Sequence, residues 1–199
     1  MTDSSSYIVT TTQNYVSRTA TLHNASSVRI KGKSIISPGV TIHGDAPIQI
    51  GRYCHIHEGV VIKPTAVPIS SDALLDNTPE NERVLQLIIG SHTIIGQNTT
   101  ISSLSIGSNV RIGKNCKLSQ RSKIFDCCVI EDGSVVTEDM VVPPFSRVAG
   151  SPARIVGTLP ESCGHEFVEG CRDESDIIDA ILRDAMLENT VKTSRIIFT

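Results

Sequence analysis

Tryptophan is absent from this 199-residue chain, and three tyrosines and four phenylalanines are its only other large rings. A core without rings must be filled by smaller groups. Here the filler is Ile and Val, β-branched residues that suit a pleated surface better than a helix. No stretch approaches the roughly 18 consecutive apolar residues of a membrane helix. Met1 to Ser6 also lacks the charged-then-apolar layout of a signal peptide. The reading is a cytoplasmic protein without direct membrane insertion. Net charge is −3 and the isoelectric point about 6.1. With so few aromatics for base stacking, nucleic acid is not an expected partner. Length suits one domain with or without an appendage. The six cysteines (Cys54, Cys116, Cys127, Cys128, Cys163 and Cys171) are expected as free thiols, and the neighbours Cys127 and Cys128 suit no disulfide.

What the chain does have is a period of six. An aliphatic residue opens each hexad at Ile30, Ile36, Ile42, Ile50, Ile56 and Ile62, and again from Ile89 to Val148. Four residues later the side chain is small or compact, as at Ser34, Val40, Cys54, Thr93, Cys116 and Ser134. One buried aliphatic and one buried small group per six residues describe a short strand and a turn, the unit of a hexapeptide β-helix. Three units make a triangular coil. Seventeen such hexads predict an all-β solenoid of five to six coils, roughly 27 Å tall at about 4.8 Å per coil. The missing rings follow, because the interior is too narrow for them. Similarity to hexapeptide-repeat proteins implies a left-handed parallel β-helix, against the general right-handed preference of parallel crossovers.

The period sets the expected boundaries: an N-terminal extension over 1–26, the β-helix over 27–157 and an acidic tail over 158–199. Two residues are inserted near Pro47, and one is missing between Ile101 and Ile106. The polar, aperiodic segment 67–87 reads as a loop protruding from one corner, either a neutral insertion or a functional one. A linker to about Arg172 precedes a helix predicted over 173–188. Asp173 is placed to cap it, and Ile177, Ile178, Ile181, Leu182, Ala185 and Met186 form its apolar stripe. That stripe either packs on the prism or meets a partner.

Charge divides along the chain. Residues 160–190 carry nine acids and two bases, a net −7 in a chain of −3, so the remainder is +4. Arg111, Lys114, Lys117, Arg121 and Lys123 occupy one acid-free run of hexads. Successive hexads lie on different faces, so these five are expected as a belt around one coil. It is either a solvated surface or a binding site for an acidic partner.

A hexapeptide prism can host acyl transfer, zinc chemistry or pure assembly, and fold alone does not choose. Ile42-His43-Gly44-Asp45, Cys54 to Lys63 and Ile94 to Ser103 resemble segments of the γ-class carbonic anhydrases, whose zinc is held by three His. In that resemblance the ligand positions fall on Lys63, Gln97 and Ser102. An ammonium, an amide and a hydroxyl make a poor zinc set. No metal or other cofactor is expected, and no catalytic residue. His55 and His57 lie at different points of their hexad, and Cys163, His165 and Cys171 have no finger-like spacing. Acyl transfer needs a general base, usually His, at a seam between prisms. No long His-bearing loop resembles the acyltransferase signature, and a hexapeptide-repeat enzyme, an acyltransferase ahead of a γ-type carbonic anhydrase, stands as the alternative reading.

The run Lys123 to Val136 with its paired Cys127-Cys128, the exit Val141-Val142-Pro143-Pro144-Phe145, and Gly150 to Glu161 resemble the dynactin subunit 5 family. The entry Ser27 to Ile36 and Ile50 to Cys54 are similar too, so the resemblance covers roughly 14–162. It implies a noncatalytic subunit of the pointed-end complex of dynactin, the dynein activator. The implied partners are dynactin subunit 6, dynactin subunit 4, a pointed-end actin-related protein and dynein cargo adaptors, with early endosomes among the cargo and the cytoskeleton as location.

Overall fold

The computed structural model describes residues 7–64, 66–67 and 83–172. Two-residue strands alternate with turns and stack into three parallel faces. The first face carries Tyr15–Ser17, Ile35–Ile36, His55–Ile56, Ile94–Ile95, Arg111–Ile112, Val129–Ile130 and Ser146–Gly150. Thr21–His23, Thr41–His43, Val61–Ile62, Thr100–Ile101, Lys117–Leu118 and Val135–Val136 make the second. Val28–Gly32, Ile48–Arg52, Leu87–Ile89, Ser105–Ile106, Lys123–Ile124 and Val141–Val142 make the third. Six full coils result, the upper end of the five to six that the hexads predict. Antiparallel strands Tyr7–Val9 and Ala153–Thr158 extend the first face at its two ends.

Register explains the spacing. On the first face Ile36, Ile56, Ile95, Ile112, Ile130 and Val148 stand directly over one another. The other faces stack Ile42, Ile62, Ile101 and Leu118, and Ile50, Ile89, Ile106 and Ile124, in the same way. Every hexad-opening aliphatic group is buried except Ile30, which is half-buried in the first coil. The small positions are buried too, and several of their polar members bond to the next coil. Thr93 and Thr99 hydroxyls donate to the carbonyls of Gly107 and Gly113 at 3.1 and 2.9 Å. The pattern also hid core residues: Ile48 and Leu87 are paired and buried at the lengthened start of the third face.

Measured from one aliphatic position to the next, the turn from first to second face is always six residues (Ile36 to Ile42, Ile112 to Leu118), and so is the turn from third to first. All irregular spacing falls on the turn from second to third face, where both the Pro47 insertion and the 67–87 segment lie. Ala66–Val67 pairs antiparallel with Arg83–Val84 as a two-stranded stem at this corner; the protruding loop expected between them lies outside the described residues. The regular turns place their third residue in the left-handed region. Tyr53, His92, Asn109, Cys127 and Phe145 (φ 55–58°) form one such column, between the third and first faces. Asn and Gly tolerate this conformation best; Tyr, Phe and Cys there are held by what covers them.

Two boundaries differ from the expected ones. Residues 15–23 already belong to the prism, because Val16 and Leu22 stack on Ile36 and Ile42. An eight-residue step from Leu22 to Ile30 hides that first coil from a six-residue count. The expected linker is helical over 163–172. Its stripe of Cys163, Phe167 and Cys171, at four-residue intervals, is buried. Cys163 and Phe167 pack on Cys127, with Val129, Phe145 and Leu159 around them. Further along, Arg111 lies 4.9 Å from the Phe167 ring and Arg172 lies 5.8 Å from Tyr53. The helix therefore runs down the third-to-first corner, and its rise of about 14 Å matches three coils of about 4.8 Å. The helix predicted over 173–188 lies outside the described residues.

Glycine is required where coils touch. A Cβ on Gly51 would sit 2.6 Å from the backbone carbon of Gly90. Gly51→Ala is expected to lower stability by about 1–3 kcal/mol, and Ile95→Ala by about 2–5 kcal/mol, both read as urea-unfolding free energies. His92 stacks on Tyr53 at 5.2 Å, and burial, then the Arg172 cation, holds its pKa below the ordinary value. Unfolded chains then bind the proton first, so stability falls as pH drops through about 6.5. His92→Gln should flatten that part of the stability–pH curve.

Candidate protein-binding surface

Arg111, Lys117 and Lys123 open three successive strands and point outward from the first, second and third faces of the fifth coil. The belt geometry is as expected, but its charges are not equivalent. Arg121 sits at a corner with φ 59° and makes a bidentate pair with Asp139 at 2.7 and 2.8 Å, with Glu138 at 3.4 Å. That guanidinium holds the Asp139 carboxyl below its ordinary range. Arg111 is half-buried under Phe167. Lys114, Lys117 and Lys123 are the exposed cations of the coil.

Arg111 and Lys114 nevertheless share a site. A cavity of about 380 Å³ on the first face is lined by His57, Ile94, Gln97, Arg111, Lys114 and Asp132, among others. Gly96 and Gly113 supply its floor, because neither can carry a Cβ against the next coil. The Arg111 Nε is buried there without a hydrogen bond. Two acids border the groove and both are engaged: Glu131 by Arg147, and Asp132 by the Lys114 backbone N–H at 2.8 Å. Donors thus outnumber acceptors, which suits a carboxylate-bearing ligand.

The three zinc-ligand positions separate into two places. Lys63 and Ser102 follow the paired Ile62 and Ile101 on the second face, while Gln97 lines the groove. Lys63 is exposed. Among the described residues, no three His, Cys, Asp or Glu converge as a metal cluster. The histidines stack in pairs instead, His55 with His57 at 4.0 Å and His23 with His43 at 4.9 Å. His55 and His57 do meet, which their hexad positions did not suggest.

Three thiols occupy the small inward position, as expected of compact core groups. Cys54, Cys116 and Cys128 donate to the carbonyls of Gly90, Glu131 and Pro143 at 3.1, 3.1 and 3.2 Å. Burial pushes Cys54 up to about 11 and raises the other two, so all three stay protonated and poorly nucleophilic near neutrality. Sequence reasoning missed Phe167, whose ring holds Arg111 at the groove. The four-residue interval from Cys163 through Phe167 to Cys171 was its signal.

A sequence model of the family described as dynactin subunit 5 matches residues 1–174. Dynactin subunit 5 of Dictyostelium discoideum is 42% identical over 65 residues, covering 32% of this chain and 33% of that protein; the match therefore spans about a third of the relative's length. Two solved structures share the fold. A hexapeptide transferase family protein from Anaplasma phagocytophilum gives a TM-score of 0.60 at 17% identity, covering 86% of this chain and 92% of that one. PerB from Caulobacter crescentus, solved with CoA and GDP-perosamine, gives 0.54 at 20% identity, covering 72% and 57%. At such identities the likeness is one of fold alone, the left-handed parallel β-helix of hexapeptide repeats. The match over 1–174 reaches from the first coil through the corner helix, and on it the chain belongs to the dynactin subunit 5 family.

Proposed function

We propose that this chain is a noncatalytic scaffold subunit of the dynactin pointed-end complex, located in the cytoplasm with the cytoskeleton. It assembles with dynactin subunit 6, dynactin subunit 4 and the pointed-end actin-related protein, and helps link dynein to cargo such as endosomal membranes. The family match over residues 1–174 carries the reading. The physical character of the prism supports it: strands locked on both sides leave little to move, and a rigid surface is what a scaffold needs. Binding then falls to the outward rows and the first-face groove, where Arg111, Lys114 and Gln97 favour an acidic segment of an adaptor.

The alternative is a hexapeptide acyltransferase, favoured by the fold of the two solved neighbours. It asks for a histidine base facing a substrate. The repeat's histidines are instead engaged in ring stacks, His92 on Tyr53 included.

Affinity purification of the full chain from native extract separates the two. A scaffold brings other dynactin subunits, whereas a trimeric enzyme brings only itself. Stoichiometric zinc with CO2 hydration in the purified protein overturns the scaffold reading. Lys114→Glu with Lys117→Glu is expected to weaken binding of an acidic adaptor roughly tenfold, about 1.4 kcal/mol. The unfolding free energy should stay within about 0.5 kcal/mol. Unchanged affinity in titration calorimetry removes the belt from the binding site.

A further inference from the structure

A closed solenoid satisfies the backbone of every interior strand, so unpaired N–H and C=O groups collect at its ends. Five of the seven exposed large aliphatic side chains among the described residues lie there too. Ile8 and Val9 lie on the edge strand at one end, and Val141, Ile155 and Val156 at the other. The two ends are not equal. Tyr7–Val9 is three residues long, whereas Ala153–Thr158 is six and forms the outermost strand of the nine-stranded first face.

Among the described residues, Ala153–Thr158 pairs on its inner side alone, antiparallel to Ser146–Gly150, with a bulge at Val156, which falls between the Val148–Ile155 and Arg147–Gly157 pairs. Ala153 is buried, but Ile155 and Val156 are 49% and 59% exposed. Val156 is the extra residue of the bulge, so strict alternation does not hold there, and both exposed side chains add apolar surface to this edge. Natural proteins blunt free edges with charge, proline, brevity or a bulge, and of these the strand carries the bulge. Here Pro152 and Pro160 bound the strand without interrupting it, and Arg154 is its one charge. Beside Gly157 there is open space, since a Cβ there would meet nothing within 4 Å.

We propose that the outer edge of Ala153–Thr158 is a docking site for an extended strand of a neighbouring subunit, an apolar strand carrying at least one carboxylate. From Met140 to Pro160 the chain holds two arginines and no acid. Arg147 is engaged by Glu131, which leaves Arg154 as the charge that an incoming strand meets. The incoming strand becomes the tenth of the first face. Its backbone supplies the main-chain bonds, and contacts with Ile155 and Val156 select it. This inference rests on the scaffold reading.

Hydrogen exchange with mass spectrometry, on the full chain alone and in the purified dynactin assembly, tests it. Amides of 153–158 are expected to exchange at least tenfold more slowly in the assembly. Ile155→Lys should reduce co-purification of the other subunits while leaving the isolated chain's unfolding midpoint unchanged, and Ile155→Val should restore it. An assembly that forms with 153–158 exchanging as in the isolated chain overturns the docking site and leaves the scaffold reading intact. An isolated chain that sediments as a dimer, converted to monomer by Ile155→Lys, overturns the choice of occupant in favour of a second copy. Failure to co-purify with any dynactin subunit removes the scaffold reading, and the docking site with it.

Discussion

Pairing of each coil with the next is the constraint on which the rest of the structure depends. Parallel strands about 4.8 Å apart leave each residue facing its counterpart one coil away, so a choice made at one level binds the next. Ile stands on Ile, and Gly51 is glycine because Gly90 lies against it. The turns obey the same rule through side chains. Ser91 Oγ accepts from the Arg52 N–H, Ser108 Oγ from the Ser91 N–H, and Asp126 Oδ1 from the Ser108 N–H. This ladder satisfies backbone donors that a tight corner would otherwise leave unpaired.

That constraint explains what could be read from the sequence. Ile36 to Val148 repeat every six residues because the interior demands it, and the coil count, the buried thiols and the lack of rings follow. The relation between coils was harder to see. A residue's neighbour across these coils lies 18 positions away, so Arg121 meets Asp139 and Lys114 meets Asp132. A scan along the chain finds an acid-free run at 111–123; the folded prism sets acids from the next coil beside it. The helix over 163–172 was hidden for another reason. Its buried stripe is two cysteines and a phenylalanine, and an acidic background gives that stripe little contrast.

The three corners divide the structural tasks. The turn from first to second face is uniform, and Gly39, Gly59, Asn98, Asn115 and Gly133 take its left-handed position, residues that need no support there. The turn from third to first face uses Tyr53, His92, Cys127 and Phe145 in that conformation, and the corner helix covers much of this column. Irregular spacing is confined to the remaining corner, which carries the stem at Ala66–Val67 and Arg83–Val84. Insertions there disturb no coil, because the flanking strands Val61–Ile62 and Leu87–Ile89 still find their partners.

A prism built this way has little freedom to couple one site to another by moving. Each interior strand is held by the coils on both sides, and a single continuous core runs through the stack. Binding specificity must then come from what the repeat does not dictate: outward residues, the groove held open by Gly96 and Gly113, and the two ends. Outward charges are partly spent within the fold, as Arg121 and Arg147 show by pairing with acids of an adjacent level. Arg111 differs, because Phe167 of the corner helix rather than an acid sets its position. The helix thereby links the end of the prism to the groove in its middle, and its sequence belongs to the binding surface as much as the hexads do.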